Sequence, residues 1–168
     1  NAMVLSTVNK DNIPSQRTVL LKYYNHLGFV FFSNYTSRKA KHLDTNTNAS
    51  LLFPWYALER QVIIIGKVER ITVEESKEYF FNRPYGSQLG AWVSKQSSEI
   101  KSRQVLENRL SELKQKFPEG KVPFPNFWGG YRLMPKSIEF WQGGANRLHD
   151  RILYKEVESE WFIVRLSP

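Results

Sequence analysis

Arg147, His149 and Arg151 follow the pair Gly143-Gly144, with Leu148 and Asp150 interleaved. An extended chain turns alternate side chains to one face, so two guanidinium groups and an imidazole would share a side. Such a set is a receptor for phosphate or an anionic ring. It equally suits an exposed strand edge whose charges pair with neighbouring carboxylates. Ser37-Arg38-Lys39 begins a segment that reads as a helix over 37–45. There the first backbone N–H groups, a hydroxyl and two cations can converge on an anion, or the two cations can simply face water. Arg17 and Lys22 flank an apolar strand core. Strict alternation puts them on opposite faces, so one ligand reaches both only through a bulge or by spanning the strand. Tyr79, Arg83 and Ser87 recur at intervals of four across a predicted helix end. That spacing can gather a phenol, a guanidinium and a hydroxyl, or can belong to an ordinary helix terminus. His26 in a turn and His42 on a helix are expected at the surface.

The elements that must position these residues are mostly strands. Residues 2–8, 15–24 and 29–32 read as an antiparallel meander broken by Asn9-Lys10-Asp11-Asn12 and Asn25-His26-Leu27-Gly28. After the 37–45 helix come strands over 50–55 and 60–71, the latter long enough to bend at Gly66. Thr72 with Glu75 forms a capping-box pair that opens a helix to about residue 81, stopped by Asn82-Arg83-Pro84. Leu106, Leu110, Leu113 and Phe117 give one apolar stripe to a helix predicted over 98–117. A proline-rich connector over 118–125 leads to strands at 128–134 and 137–142 and a hairpin of 151–157 with 160–166. The prediction is a single domain over 1–168, mainly β with α: a small antiparallel barrel with helices packed outside it, its C-terminal region at about 127–168. Strand edges and large aromatics favour a homodimer.

Composition narrows the chemistry. The 168 residues carry 24 Lys and Arg against 16 Asp and Glu, a net charge of +8, with 41% hydrophobic residues and no cysteine. That length can bury a real core. Apolar runs such as 62–65 are far too short to span a bilayer, and no signal segment is evident, so a non-secreted, cytoplasmic protein without a membrane partner is expected. Absent cysteine removes disulfides, thiolate metal sites and cysteine nucleophiles, and no metal site is expected. The cations are dispersed rather than clustered, which suits small phosphates better than nucleic acid. Neither a phosphate-binding G-x-x-x-x-G-K-[ST] loop, nor G-x-G-x-x-G, H-E-x-x-H or G-x-S-x-G occurs. Any catalysis is therefore expected to be a cofactor's.

An ordered series of motifs covers nearly the whole chain. Arg17-x-Val19-Leu20-Leu21-Lys22, Ser37-Arg38-Lys39-Ala40, Glu59-Arg60-Gln61-Val62 and Tyr79-Phe80-x-x-Arg83-Pro84 are followed by Gly90-Ala91-Trp92-x-Ser94-x-Gln96-Ser97, Phe127-Trp128-Gly129-Gly130 and Phe140-Trp141-Gln142-Gly143, then Arg147-Leu148-His149-Asp150-Arg151. Together they resemble the pyridoxine/pyridoxamine 5′-phosphate oxidase family. The resemblance implies an FMN-binding split barrel acting as a homodimer, with FMN at the subunit interface. It also implies oxidation of pyridoxamine or pyridoxine 5′-phosphate to pyridoxal 5′-phosphate, with O2 as acceptor and hydrogen peroxide as product. By the same resemblance, Arg17, Arg38 and Lys39 hold the FMN phosphate and ribityl chain, Phe32 and Ser33 add contacts, and Gln61, Gln96, Ser97, Trp141 and Arg151 complete the flavin site. Lys22, Tyr79, Arg83 and Ser87 grip the substrate phosphate, and Arg147 and His149 lie over the substrate ring as catalytic residues. The sequence opens on the first barrel strand, whereas family members usually carry a preceding segment that helps cover the active site. The alternative is a split-barrel FMN protein without B6-phosphate oxidase activity, which has no reason to keep Tyr79, Arg83, Ser87, Arg147 and His149 as a set.

Overall fold

Along β1 (Ala2–Val8) buried and part-exposed residues alternate, with Met3, Leu5 and Thr7 turned inward, the period expected of a half-buried strand. In the computed structural model, which describes residues 1–168, β1 pairs antiparallel with β2 (Pro14–Leu20), Ala2 opposite Leu20 and Val8 opposite Pro14. On its other side β1 pairs with β5 (Asn48–Trp55), and β5 pairs along its length with β6 (Arg60–Arg70). With β3 (Tyr23–Asn25), β4 (Gly28–Asn34) and β7 (Trp128–Gln142) the strand order is β2-β1-β5-β6-β7-β4-β3, and β8 (Asp150–Val157) with β9 (Glu160–Arg165) extends from β7. The predicted C-terminal hairpin is borne out, but the expected meander is not: it forms two separate hairpins, β1 with β2 and β3 with β4, which lie at opposite ends of the strand order. The helices are α1 (Arg38–Thr45), α2 (Val73–Phe81), α3 (Tyr85–Val93) and α4 (Gln104–Lys116). No helix is long and apolar enough to cross a membrane.

The chain divides into two compact units. The first comprises Asn1–Phe31, His42–Glu69 and Arg132–Pro168, and contains most of the sheet. Its core is Met3, Leu5, Val30, Phe31, Leu51, Ile64 and Leu133, all essentially inaccessible. Gly66 on β6 is required by close approach: a Cβ there would lie 2.0 Å from the Met134 carbonyl oxygen. The second comprises Phe32–Lys41 and Arg70–Tyr131. Its core gathers Phe80, Leu89, Ala91, Val122 and Trp128, with Leu110, Leu113 and Phe117 of the predicted stripe packed against them.

Several boundaries differ from the sequence reading. The expected 15–24 strand is two, because the chain breaks after Leu20 and Lys22 instead donates its backbone N–H to the Val30 carbonyl at 2.9 Å. The expected strands at 128–134 and 137–142 are one, β7, running through Pro135. Its register with β8 begins only at Ser137, so that ladder does not call on the amide hydrogen the proline lacks. The helix predicted over 98–117 begins at Gln104; Ile100, upstream of the stripe, is left exposed and gives the earlier segment no apolar face to bury. Helix α3, rich in glycine and without a side-chain cap, gave no sequence signal.

Candidate functional site

In the second unit the capping box forms as predicted: the Thr72 hydroxyl accepts from the Glu75 backbone, and the Glu75 carboxylate accepts from the Thr72 backbone N–H at 3.1 Å. It fixes α2, which carries Tyr79. Arg83 lies in the link between α2 and α3, held by the nearly buried Gln88, whose amide donates to the Phe81 and Arg83 carbonyl oxygens at 3.2 and 2.9 Å. The Tyr79, Arg83 and Ser87 spacing therefore spans two helices and their junction rather than one helix end. The Arg83 guanidinium sits 4.7 Å over the Trp128 ring, and Phe32 stacks on Tyr79 at 3.9 Å and on Trp128 at 5.1 Å between centroids. Arg83 Nη1 is buried with no hydrogen-bond partner. Burial pushes the guanidinium below its ordinary pKa, with Tyr79 acting weakly the other way. An unsatisfied buried donor is a cost that a bound anion would remove.

A second cluster in this unit gathers around α1. Lys39 is 8% exposed, and its ammonium donates to Ser33 Oγ at 3.1 Å and Gln96 Oε1 at 2.9 Å. Ser33 Oγ also donates to Gln96 Oε1 at 3.1 Å. The Arg38 backbone N–H, in the first turn of α1, donates to Ser97 Oγ at 3.2 Å, and Ser97 holds a left-handed φ of 70°. Two segments far apart in sequence, one with Ser33, Arg38 and Lys39 and the other with Gln96 and Ser97, are thus brought together.

The first unit has a pocket of about 350 Å³ lined by Pro54, Tyr56, Glu59, Arg60, Gln61, Trp141, Gly143, Gly144 and His149. The Trp141 and His149 rings lie 4.8 Å apart. His149 Nδ1 accepts from the Gly144 N–H at 3.1 Å, which leaves Nε2 as the ring nitrogen able to donate. A Cβ on Gly144 would meet the Leu148 carbonyl oxygen at 2.3 Å, so glycine is needed where this loop folds back. Extended alternation does not hold here. Ala145–Arg147 form a 3-10 turn, with Asn146 at φ 55° and Arg147 at φ 63°, and strand geometry resumes only at Asp150. Arg147 is exposed and does not line the pocket with His149. Arg151 is held in two-point contact by Glu139 at 2.8 and 3.2 Å, the salt-bridged alternative for that residue.

Arg17 donates through Nη1 to the Leu5 carbonyl at 3.1 Å and to Thr7 Oγ1 at 2.7 Å, and through Nη2 to Ser15 Oγ. Lys22 lies between β2 and β3, so the two cations do not share a strand. His42, expected at the surface, is buried at 9% exposure with Nδ1 3.1 Å from Thr7 Oγ1. Helical position alone could not reveal that burial. Its partner Thr7 also lacks a motif, and only the inward phase of β1 hinted at it.

Comparison with known proteins identifies the family. The pyridoxamine 5′-phosphate oxidase family model matches residues 1–117, and a pyridoxine 5′-phosphate oxidase C-terminal dimerisation region matches residues 128–168. The chain is 56% identical over 167 residues to a pyridoxine/pyridoxamine 5′-phosphate oxidase from Enterobacter sp. (strain 638), covering 99% of the chain and 77% of that protein. An Escherichia coli O1:K1 / APEC protein of the same name is 55% identical over the same shares. Among solved structures, PhzG from Burkholderia lata 383, in complex with tetrahydrophenazine-1-carboxylic acid, superposes with a TM-score of 0.93 at 29% identity, covering 99% of this chain and 82% of that one. A pyridoxamine 5′-phosphate oxidase-related, FMN binding protein from Nostoc punctiforme shares the fold at a TM-score of 0.77 and 17% identity, over 99% and 87% of the two chains. The split-barrel architecture read from the sequence is thereby established, and the chain belongs to the pyridoxamine 5′-phosphate oxidase family.

Proposed function

We propose that the chain is an FMN-dependent oxidase of pyridoxamine and pyridoxine 5′-phosphates, working as a homodimer with FMN at the subunit interface. The observation that carries this reading is the buried, unpartnered Arg83 Nη1 beside Tyr79, a receptor that a substrate phosphate would complete. The amine reaction consumes O2 and water and releases pyridoxal 5′-phosphate, ammonia and hydrogen peroxide. The alcohol reaction consumes O2 and releases pyridoxal 5′-phosphate and hydrogen peroxide. When bound, FMN supplies the hydride acceptor and its reoxidation by O2.

The donor set suits such a group. Arg17, Arg38 and Lys39 are assigned to the FMN phosphate and ribityl chain, with Phe32 and Ser33 beside them. Gln61 and Trp141 line a pocket whose aromatic wall and amide suit a planar heteroaromatic ring. Gln96, Ser97 and Arg151 complete the assignment. Lys22, Tyr79, Arg83 and Ser87 grip the substrate phosphate, using charge-assisted bonds that fix the reacting carbon by anchoring a remote group. His149, with Nδ1 occupied by Gly144, offers Nε2–H as a donor to the substrate ring. Arg147 is assigned to the same ring, where its guanidinium would stabilise negative charge. The homodimer is supported by Phe140, Val157, Trp161, Phe162 and Ile163, large apolar residues left exposed within the matched dimerisation region.

A second reading rests on the PhzG superposition: a split-barrel flavoprotein acting on a tricyclic carboxylate. A product assay on the FMN-supplied dimer separates them. Stoichiometric pyridoxal phosphate and peroxide from both B6 phosphates, with ammonia from the amine alone, is the expected result. Turnover of tetrahydrophenazine-1-carboxylic acid with neither B6 phosphate consumed would overturn the proposal.

A further inference from the structure

Thr7 is completely buried on β1, at 0% exposure, and its hydroxyl stands between two groups that motif reading did not connect. On one side is Arg17 Nη1 at 2.7 Å, on the other His42 Nδ1 at 3.1 Å. A guanidinium only donates, so Thr7 Oγ1 accepts from Arg17. The hydroxyl proton then needs an acceptor, because a buried O–H left unmade is costly, and His42 Nδ1 is the acceptor within reach. A proton on Nδ1 would instead force Thr7 Oγ1 to accept twice and strand its own hydrogen. The bonds therefore run in one direction, Arg17 to Thr7 to His42, and leave the His42 proton on Nε2.

We infer that Thr7 and His42 are positioning residues that hold the Arg17 guanidinium plane for an incoming phosphate. The inference rests on the proposed assignment of Arg17 to the FMN phosphate. A long arginine side chain loses considerable rotamer freedom when it binds an anion. Two further contacts, to Leu5 and Ser15, act with Thr7 to remove that freedom before the ligand arrives. Thr7 and His42 touch no ligand themselves in this account; they act through Arg17.

The test compares FMN with riboflavin, which lacks the phosphate, by fluorescence titration of the apoprotein dimer. Thr7→Val keeps the side-chain shape and removes the hydroxyl. It is expected to weaken FMN binding about tenfold to a hundredfold, the range for a bond to a charged group, while riboflavin binding changes less than about twofold. Thr7→Ser restores the hydroxyl and should return FMN affinity to near the parent value. His42→Phe should weaken FMN binding by a smaller factor. In the Thr7→Val background it should add little, since partners in one chain of bonds are not additive. Nitrogen-15 NMR of the unsubstituted protein, which needs no variant to fold, should show His42 protonated on Nε2.

Three results would overturn the inference: equal losses for FMN and riboflavin in Thr7→Val, unchanged FMN affinity in that variant, or a proton on His42 Nδ1. If the parent protein itself shows no preference for FMN over riboflavin, the assignment of Arg17 to the phosphate falls, and the positioning role falls with it. A parent preference that survives undiminished in Thr7→Val removes only the role of Thr7 and His42.

Discussion

Lys39 in the second unit is nearly buried, with its ammonium between two oxygens. Arg147 in the first unit is exposed on a left-handed backbone next to a second left-handed residue, Asn146. One cation is fixed before any ligand arrives, and the other stands on a segment whose conformation costs on the order of 1 kcal/mol per residue for an L-amino acid. Buried, hydrogen-bonded cations suit a group that stays bound through many turnovers. An exposed cation on a strained turn suits a group that arrives, reacts and leaves. On the proposed assignment, Lys39 would serve retention of the flavin, and Arg147 and His149 would serve turnover.

The sharpest way to break that division is to truncate the turnover part. Arg147→Ala and His149→Ala should each lower turnover about a hundredfold to a thousandfold, with the FMN dissociation constant within about threefold of the parent. Flavin loss from both, with unchanged turnover per remaining flavin, would merge the two parts. Next in size is Arg83→Met. It should raise KM for pyridoxamine 5′-phosphate about thirtyfold to a hundredfold, because a charge-assisted contact to phosphate is lost. The same variant should leave the melting temperature of the ligand-free protein unchanged or raised, since it removes a buried N–H that has no partner; a clear fall in melting temperature would mark Arg83 as structural.

Lys39→Ala probes the retention part and should weaken FMN binding by about tenfold, at the lower end for a charged hydrogen bond. An unchanged dissociation constant would remove Lys39 from the phosphate site. The smallest effect is assigned to Asn146→Gly. Glycine accepts φ 55° without a Cβ penalty but gives up more entropy on folding, so the net gain should be at most about 0.5 kcal/mol, or a melting temperature higher by about 1–2 °C. A loss of stability would show that the turn is held by the asparagine side chain and is not strained.

What the sequence disclosed follows from where its signals are local. The Thr72 and Glu75 pair, the Pro84 stop and the stripe from Leu106 to Phe117 each act within one or two turns, and each forms. The Lys39 cluster was reachable only through the ordered motifs, since Ser33, Lys39 and Gln96 meet across the fold. Two features left no local mark. The left-handed conformation of Arg147 belongs to a residue type that rarely adopts it, whereas Asn146 is of a type enriched there, and with both residues in that region the extended reading of the segment is incorrect. His42 reads as a surface residue on a polar helix, and only the inward-facing Thr7 makes it a buried one.

The central claim is that the chain binds a flavin that takes a hydride from a B6 phosphate and returns the electrons to oxygen. Visible absorption of the purified, FMN-supplied protein under anaerobic conditions tests it most directly, with pyridoxamine 5′-phosphate added and air then admitted. The expected result is bleaching of the flavin band by the substrate and recovery of the band on contact with oxygen. A flavin band that persists unchanged in the presence of the substrate would contradict the claim.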